Sequence, residues 1–233
     1  MKVKTKVLSG FLNKTTMEGA QKIDEALLDF GKDGLKINAN SPAQQVRISS
    51  WLKKAAFKEY EEFGKVGLNE IATVIRVLDR FGEFVTITKE GNLLTVKGDK
   101  KKVDIELTAE EFLKTDTGDP NLEFEDTFSI ASVKLKEIIK DVEVNKDASL
   151  SIKTEDKKVQ FLNTGKYKFV NEMEALTCKG GVEVTFGNPL IEATRHLDGV
   201  LQFSVKTDYP GKIMETTETS VITLIVAPRV EEE

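Results

Sequence analysis

Apolar residues recur along this chain in two rhythms. Most of the sequence alternates apolar and polar positions over short runs, the pattern of half-buried strands, and four stretches widen the spacing to three and four residues, as amphipathic helices do. Val3–Leu8 alternates as a first strand, and a polar helix follows over Gly10–Lys22, weakened by Thr15, Thr16 and Gly19. Strands are predicted over Gly34–Asn38, Val46–Leu52 and Phe57–Phe63. Leu68, Ile71, Ile75 and Leu78 then form one apolar stripe at i, i+3, i+7 and i+10, which predicts a helix over Leu68–Phe81. Phe84–Thr88, Asn92–Lys97 and Lys102–Leu107 complete the half as strands, with a tight turn at Glu90-Gly91.

The same plan returns about 120 residues later. Leu135, Ile138, Ile139 and Val142 stripe a helix over Ser132–Val144, and Pro189 takes the favoured first position of a helix over Asn188–Val200. Between and after them, Ser149–Lys153, Lys158–Asn163, Lys166–Leu176, Gly181–Phe186, Leu201–Thr207, Ile213–Thr217 and Val221–Val226 read as strands. A long repeat present twice indicates a duplicated domain rather than a solenoid. The fold class is α+β: two duplicated domains of antiparallel sheet, each with two helices on one face. The predicted division is residues 1–113, a connector over 114–127, and residues 128–233. The connector breaks every period with Gly118, Pro120 and acidic residues. It nevertheless carries Leu122 and Phe124, which either pin it to the body or form part of a docking surface.

Composition narrows the classes. The 233 residues suit two modest cores, and no apolar run is long enough to span a membrane, so a soluble intracellular protein without membrane partners is expected. Cys178 is the only cysteine, which leaves no disulfide framework and suggests a buried spectator thiol. A net charge of −5 argues against coating nucleic acid by bulk charge, although basic residues gathered on one face would act locally.

Catalytic signatures are missing. There is no phosphate-cradling Gly-x-x-x-x-Gly-Lys-Ser/Thr loop, no Gly-x-Gly-x-x-Gly and no His-Glu-x-x-His; His196 is the single histidine. Asp141, Glu143, Asn145 and Asp147 imitate a calcium loop, but Lys146 stands where glycine is needed and Ile152 where the bidentate glutamate belongs. No catalytic residue, metal or cofactor is assigned. A carboxylate-based metal-dependent hydrolase is the competing class, and no motif supports it.

The helices carry the more informative charges. Arg76 and Arg80 are i, i+4 neighbours opposite an apolar stripe, and Lys136 and Lys140 repeat that arrangement in the second half. Lys14 lies in the first helix and Arg195 in the fourth. Helices at equivalent places would turn these cations toward one side.

The C-terminal run Leu224-Ile225-Val226-Ala227-Pro228-Arg229-Val230-Glu231-Glu232-Glu233 resembles the tail of the PCNA family of sliding DNA clamps, archaeal members above all. Phe57-Lys58-Glu59-Tyr60 followed by Val66-Gly67-Leu68, and the connector run Pro120-Asn121-Leu122-Glu123-Phe124, resemble the same family, and the strand order matches over essentially the whole chain. The resemblance implies a non-enzymatic ring, usually a homotrimer closed head-to-tail, with helices lining a hole. Three copies would supply twelve helices, each about 10 Å across, around a free opening of about 28 Å, wide enough for duplex DNA. It implies sequence-independent DNA contact through Lys14, Arg76, Arg80, Lys136, Lys140 and Arg195, an acidic exterior, and an ATP-dependent loader. Ring closure would use edge strands at Lys102–Leu107 and Lys166–Leu176. DNA polymerase and other clamp-binding proteins would dock with apolar and aromatic anchors on Ala39, Asn40, Leu122, Phe124, Pro210, Ile225, Val226, Ala227 and Pro228. A checkpoint-type or viral relative, working in a hetero-ring or unclosed, is the alternative within the same architecture.

Overall fold

The protein is described by a computed structural model covering residues 1–17, 19–113, 120–145, 149–163 and 165–229. The first part of the connector, Lys146 and Asp147, and the acidic tail lie outside the described residues. The first half runs β1 (Lys2–Lys4), α1 (Thr5–Thr16), β2 (Ala26–Gly31), β3 (Gly34–Asn40), β4 (Val46–Lys53), β5 (Phe57–Glu59) and β6 (Gly64–Leu68). It continues through α2 (Ile71–Leu78), β7 (Phe84–Glu90), β8 (Leu93–Lys97) and β9 (Lys102–Glu106). The second half has β10 (Asp126–Ala131), α3 (Ser132–Glu143), β11 (Leu150–Glu155), β12 (Lys158–Asn163), β13 (Phe169–Glu174) and β14 (Glu183–Phe186). It closes with α4 (Asn188–Thr194), β15 (Val200–Val205), β16 (Gly211–Thr216) and β17 (Ser220–Val226). Apart from the short β5, the two halves repeat one order of strands and helices, the expected α+β class.

All strand pairing is antiparallel, in three sheets: β5-β1-β7-β8-β9, β13-β12-β11-β14, and a central β10-β15-β16-β17-β4-β3-β2-β6. The central sheet takes four strands from each half. Its seam is β17 against β4, seven residue pairs from Ser220↔Leu52 to Val226↔Val46. By the repeat, β9 corresponds to β17 and β13 to β4, so the two strands that would make the same seam again are outer edges.

Local sequence explains most elements, and four expectations need correction. The first helix starts at Thr5, not Gly10, because Leu8, Phe11, Leu12 and Thr15 are buried at helical spacing. Its threonines are accommodated by hydroxyls that bond back to the Phe11 and Asn13 carbonyls. The second helix begins at Ile71, because Leu68 pairs with Ala26 in the sheet and Glu70 adopts φ 51. Asp24, from outside that helix, caps it: its carboxylate accepts from Ala72 N at 3.2 Å and its carbonyl from Ile71 N at 3.1 Å. An unanticipated strand, β2, inserts Ala26, Leu28 and Phe30 into the core. The third helix buries Leu135, Ile138, Ile139 and Val142 as its stripe requires, and the fourth has Pro189 in its first turn but ends at Thr194, with Val200 opening β15.

The core follows the central sheet's inward face, where Leu35, Ile37, Ile48, Leu52, Leu201, Ile213, Ile222 and Leu224 are fully buried. Helices α1 and α4 both pack on β17 and β4, covering the seam. A cross-half polar contact adds to it, Gln21 N donating to Glu192 Oε2 at 3.0 Å, and within the first half Thr15 of α1 meets the Ser50 hydroxyl of β4 at 3.2 Å.

Strand β10 starts at Asp126, inside the segment expected to be connector, and Asp126 explains why. Its buried carboxylate accepts from Thr154 Oγ1, Lys179 N at 2.8 Å and Gly180 N at 3.1 Å, fastening the strand's first residue to a turn. Gly180 sits at φ 91, where a Cβ would press on the Glu155–Asp156 backbone. Burial opposes the Asp126 charge, but these three donors and Lys179 outweigh it and hold the carboxyl below the usual carboxylate range. The neighbouring Cys178 thiol is buried and pushed up to about 11 by that burial and by Asp126. It is the inert thiol the sequence suggested.

Asp126→Ala is therefore expected to cost about 2–3 kcal/mol in urea unfolding, since it strands one buried and two part-buried donors. Because the folded pKa is depressed, the contribution is present above the unfolded value near 4 and is lost as pH falls through the folded value. A wild-type minus variant stability difference that stays constant from neutral pH into strong acid would contradict this assignment.

Candidate functional site

The six cations expected to face nucleic acid all lie at exposed or half-exposed positions in or just beyond the four helices, and the structure separates them by what each already holds. Lys14 is not one of the available charges. Its ammonium lies 2.5 Å from Glu215 Oε1 and 3.4 Å from Asp198 Oδ2, with the Lys14 side chain 19% exposed and that of Glu215 only 2%. Glu215 points inward from β16 and also accepts from Asp198 N at 2.8 Å. Lys14 is thus the counter-ion of a buried carboxylate, a structural role, and this corrects the expectation. Lys136 joins the cluster from α3, 3.2 Å from Asp198. Burial works against ionised Asp198, yet the bond from Lys136 and the charges of Lys14 and Lys136 hold its carboxyl below the ordinary range.

Arg195 reaches Glu143 at 3.0 Å, an exposed ion pair of small energetic weight that leaves the guanidinium near the surface. Arg76 bonds the Thr73 hydroxyl at 2.9 Å. Among the described residues Arg76, Arg80 and Lys140 are exposed and form no ion pair. The helix side therefore offers a thin cationic field rather than a dense one. On the outer face of the central sheet Lys36 and Lys53 lie 5.6 Å and 5.9 Å from the Trp51 ring, Asp29 stands opposite Lys36, and Lys212 projects from β16.

A cavity of about 290 Å³ opens on that outer face. The connector supplies Pro120, Asn121, Leu122 and Phe124; the sheet supplies Ser49, Lys212, Thr223 and Ile225. Alternation decides which strand residues arrive there: Ile222, Leu224 and Val226 point into the core, so Thr223 and Ile225 point out. Phe124 packs edge-on to Tyr209 at 6.3 Å, and Lys206 lies 5.2 Å from the Tyr209 ring. The connector's two apolar residues thus line the cavity, and Phe124 also pins the segment to the body through Tyr209.

Three of the nine docking candidates, Leu122, Phe124 and Ile225, meet in this cavity. Ala39 and Val226 do not: at 3% and 0% exposure they lie beneath the sheet, because the strand alternation turns them inward. Asn40 is exposed at the end of β3, opposite Arg47. Pro210 is half-exposed beside Tyr209 and Gly211, and Ala227 N donates to Gln45 O at 2.8 Å, which leads Pro228 past the 41–45 loop. Ser49, Thr223 and Lys212 were missed. Alternation gives their facing, but only strand register brings them together.

Among the described residues no group of three or more His, Cys, Asp or Glu side chains is placed to hold a metal ion, and no helix is long and apolar enough to cross a membrane. No protein-family profile matches the chain, and no curated protein matches it in sequence. Solved structures do match. A. fulgidus PCNA bound to the C-terminal region of FEN-1 superimposes with a TM-score of 0.88 at 17% identity, over 100% of this chain and 98% of that one. PCNA from Thermococcus kodakaraensis gives 0.85 at 16% identity, covering 98% and 99%. The PCNA2–PCNA3 complex of Sulfolobus tokodaii gives 0.81 at 21% identity, covering 99% of each chain. The fold is the PCNA clamp fold, end to end.

Lys14→Met should lower unfolding free energy by about 3 kcal/mol, because it leaves Glu215 buried without its partner. Chemical denaturation measures this, and a loss within about 0.5 kcal/mol, the range of an ordinary surface change, would return Lys14 to the surface cations.

Proposed function

We propose that the chain is a sliding clamp, a non-enzymatic ring of identical copies that encircles duplex DNA and holds DNA polymerase and other replication or repair proteins on it. Residues 1–113 and 128–233 act as its two clamp domains with 114–127 as connector. The observation that carries this reading is the relation between the seam inside the chain and its two open edges.

Two hairpins of equal length align those edges. β16–β17 closes at Thr216↔Val221 with Thr217 N on Ser220 O, and β8–β9 closes at Lys97↔Lys102 with Gly98 N on Lys101 O. Lys102 therefore occupies the place of Val221. Likewise β2–β3 closes at Gly31↔Gly34 and β11–β12 at Glu155↔Lys158, and the strands beyond pair Gly34↔Lys53 and Lys158↔Glu174. Glu174 therefore occupies the place of Lys53.

Carrying the internal register, Val221↔Trp51, Leu224↔Ile48 and Ile225↔Arg47, over to a second copy gives three decisive pairs. Lys102 faces Glu172, Ile105 faces Phe169, and Glu106 faces Lys168. Two opposite-charge pairs flank an apolar one, which is what cross-strand pairing rewards. Exposed Tyr167, Val170 and Leu176 lie in or beside β13, and exposed Leu93 and Phe112 lie near β9, further apolar surface for such a joint. This self-complementarity favours a homomeric ring over the hetero-ring alternative.

Inside such a ring the sparse cations suit a tether that slides: topology retains the DNA, so weak contact with phosphates suffices. The sequence holds no nucleotide-binding loop, and a separate ATP-driven loader would open the ring.

Sedimentation velocity should show Glu106→Lys weakening self-association about tenfold or more, Lys168→Glu doing the same, and the double exchange restoring it. Failure of the double variant to recover would refute the register. Exchanging Arg76, Arg80 and Lys140 together for glutamine should flatten the salt dependence of DNA association and shorten polymerase runs, without loss of the ring. Unaltered processivity in that variant would count against the DNA-facing assignment.

A further inference from the structure

We infer that the cavity under the connector selects partner segments bearing a carboxylate side chain beside their apolar anchors, with Lys212 as the selecting residue. This rests on the docking role proposed above and adds a chemistry to it. An apolar docking site would expose carbon on all sides. Here the floor is polar: Ser49 and Thr223 are directly opposite each other across β4 and β17, and Lys212 is paired with Ile225, one outward row away from them. Among the described residues the Ser49 Oγ, Thr223 Oγ1 and Lys212 Nζ atoms have no hydrogen-bond or ion-pair partner.

Residues carrying one ammonium and two hydroxyls thus line a concavity that Leu122 and Phe124 also wall. A carboxylate entering it can accept from donors of these kinds, and its charge matches the cation. A wholly apolar side chain would bury them unsatisfied, which costs affinity. A cationic side chain would be repelled. Lys36, beside Trp51 on the same face, stands opposite Asp29 across β2 and β3, so the positive charge at this cavity rests on Lys212. Lys53 contributes less, since its ammonium is engaged by the Thr217 and Glu218 carbonyls at 3.0 and 3.3 Å.

The test uses the full chain and two synthetic peptides that share leucine and phenylalanine anchors and differ only in glutamates against glutamines between them. Calorimetry should show the glutamate peptide binding about tenfold tighter at low salt, with the margin shrinking as salt rises. In Lys212→Gln the preference should vanish while thermal unfolding stays unchanged. In Lys212→Glu it should invert toward a third peptide carrying lysines at those positions. Equal affinity of both peptides for the unaltered chain, or a preference that survives Lys212→Gln, would overturn carboxylate selection and leave the docking site standing. Binding of neither peptide would overturn both.

Discussion

The antiparallel union of β17 with β4 is the constraint on which the rest of this molecule depends. Seven consecutive pairs weld strands from opposite halves into one sheet, and every backbone bond made there is shielded on its inward side by α1 and α4. Removing that union would expose Ile48, Ile222 and Leu224, fully buried apolar residues, and leave two strand edges unsatisfied at once. The halves can therefore be described as a repeat but not as independent bodies. The same pairing fixes which residues share the outer face, so it also builds the cavity beneath the connector.

Electrostatics is divided by depth. At the seam, Lys14 is spent on Glu215, and Asp198 is shared between Lys14 and Lys136, so charge there ties α1, α3 and the last sheet strands together. Further out, Arg76, Arg80 and Lys140 form no ion pair among the described residues, although the charge of Arg76 helps hold the Asp24 carboxyl down. Cations also gather around Trp51 and Lys212 on the outer sheet.

Periodicity alone revealed much of the architecture, and its failures have physical causes. The third helix was legible because its stripe and its burial coincide, and the start of the fourth because Pro189 marks it. The start of α1 was obscured by Val3 and Val7, which alternate like a strand although only Val3 lies in one. Leu68 fell in step with a helical stripe by coincidence of spacing, while the left-handed turn at Glu70 is invisible to apolar patterning. Apolar cavity residues announced themselves, Leu122 and Phe124 by standing in a polar segment. Lys212 could not, since its meaning comes from strands distant in sequence, and Lys14 was misjudged because its partner Glu215 lies 201 residues away.

The state of Cys178 has a practical consequence. Because the only thiol in the chain is buried and holds its proton up to about 11, the native protein is a silent background for maleimide and disulfide chemistry. A cysteine introduced at any solvent-facing position would be the sole reactive handle, so fluorophores, spin labels and zero-length crosslinks can be placed one site at a time with no prior cysteine removal.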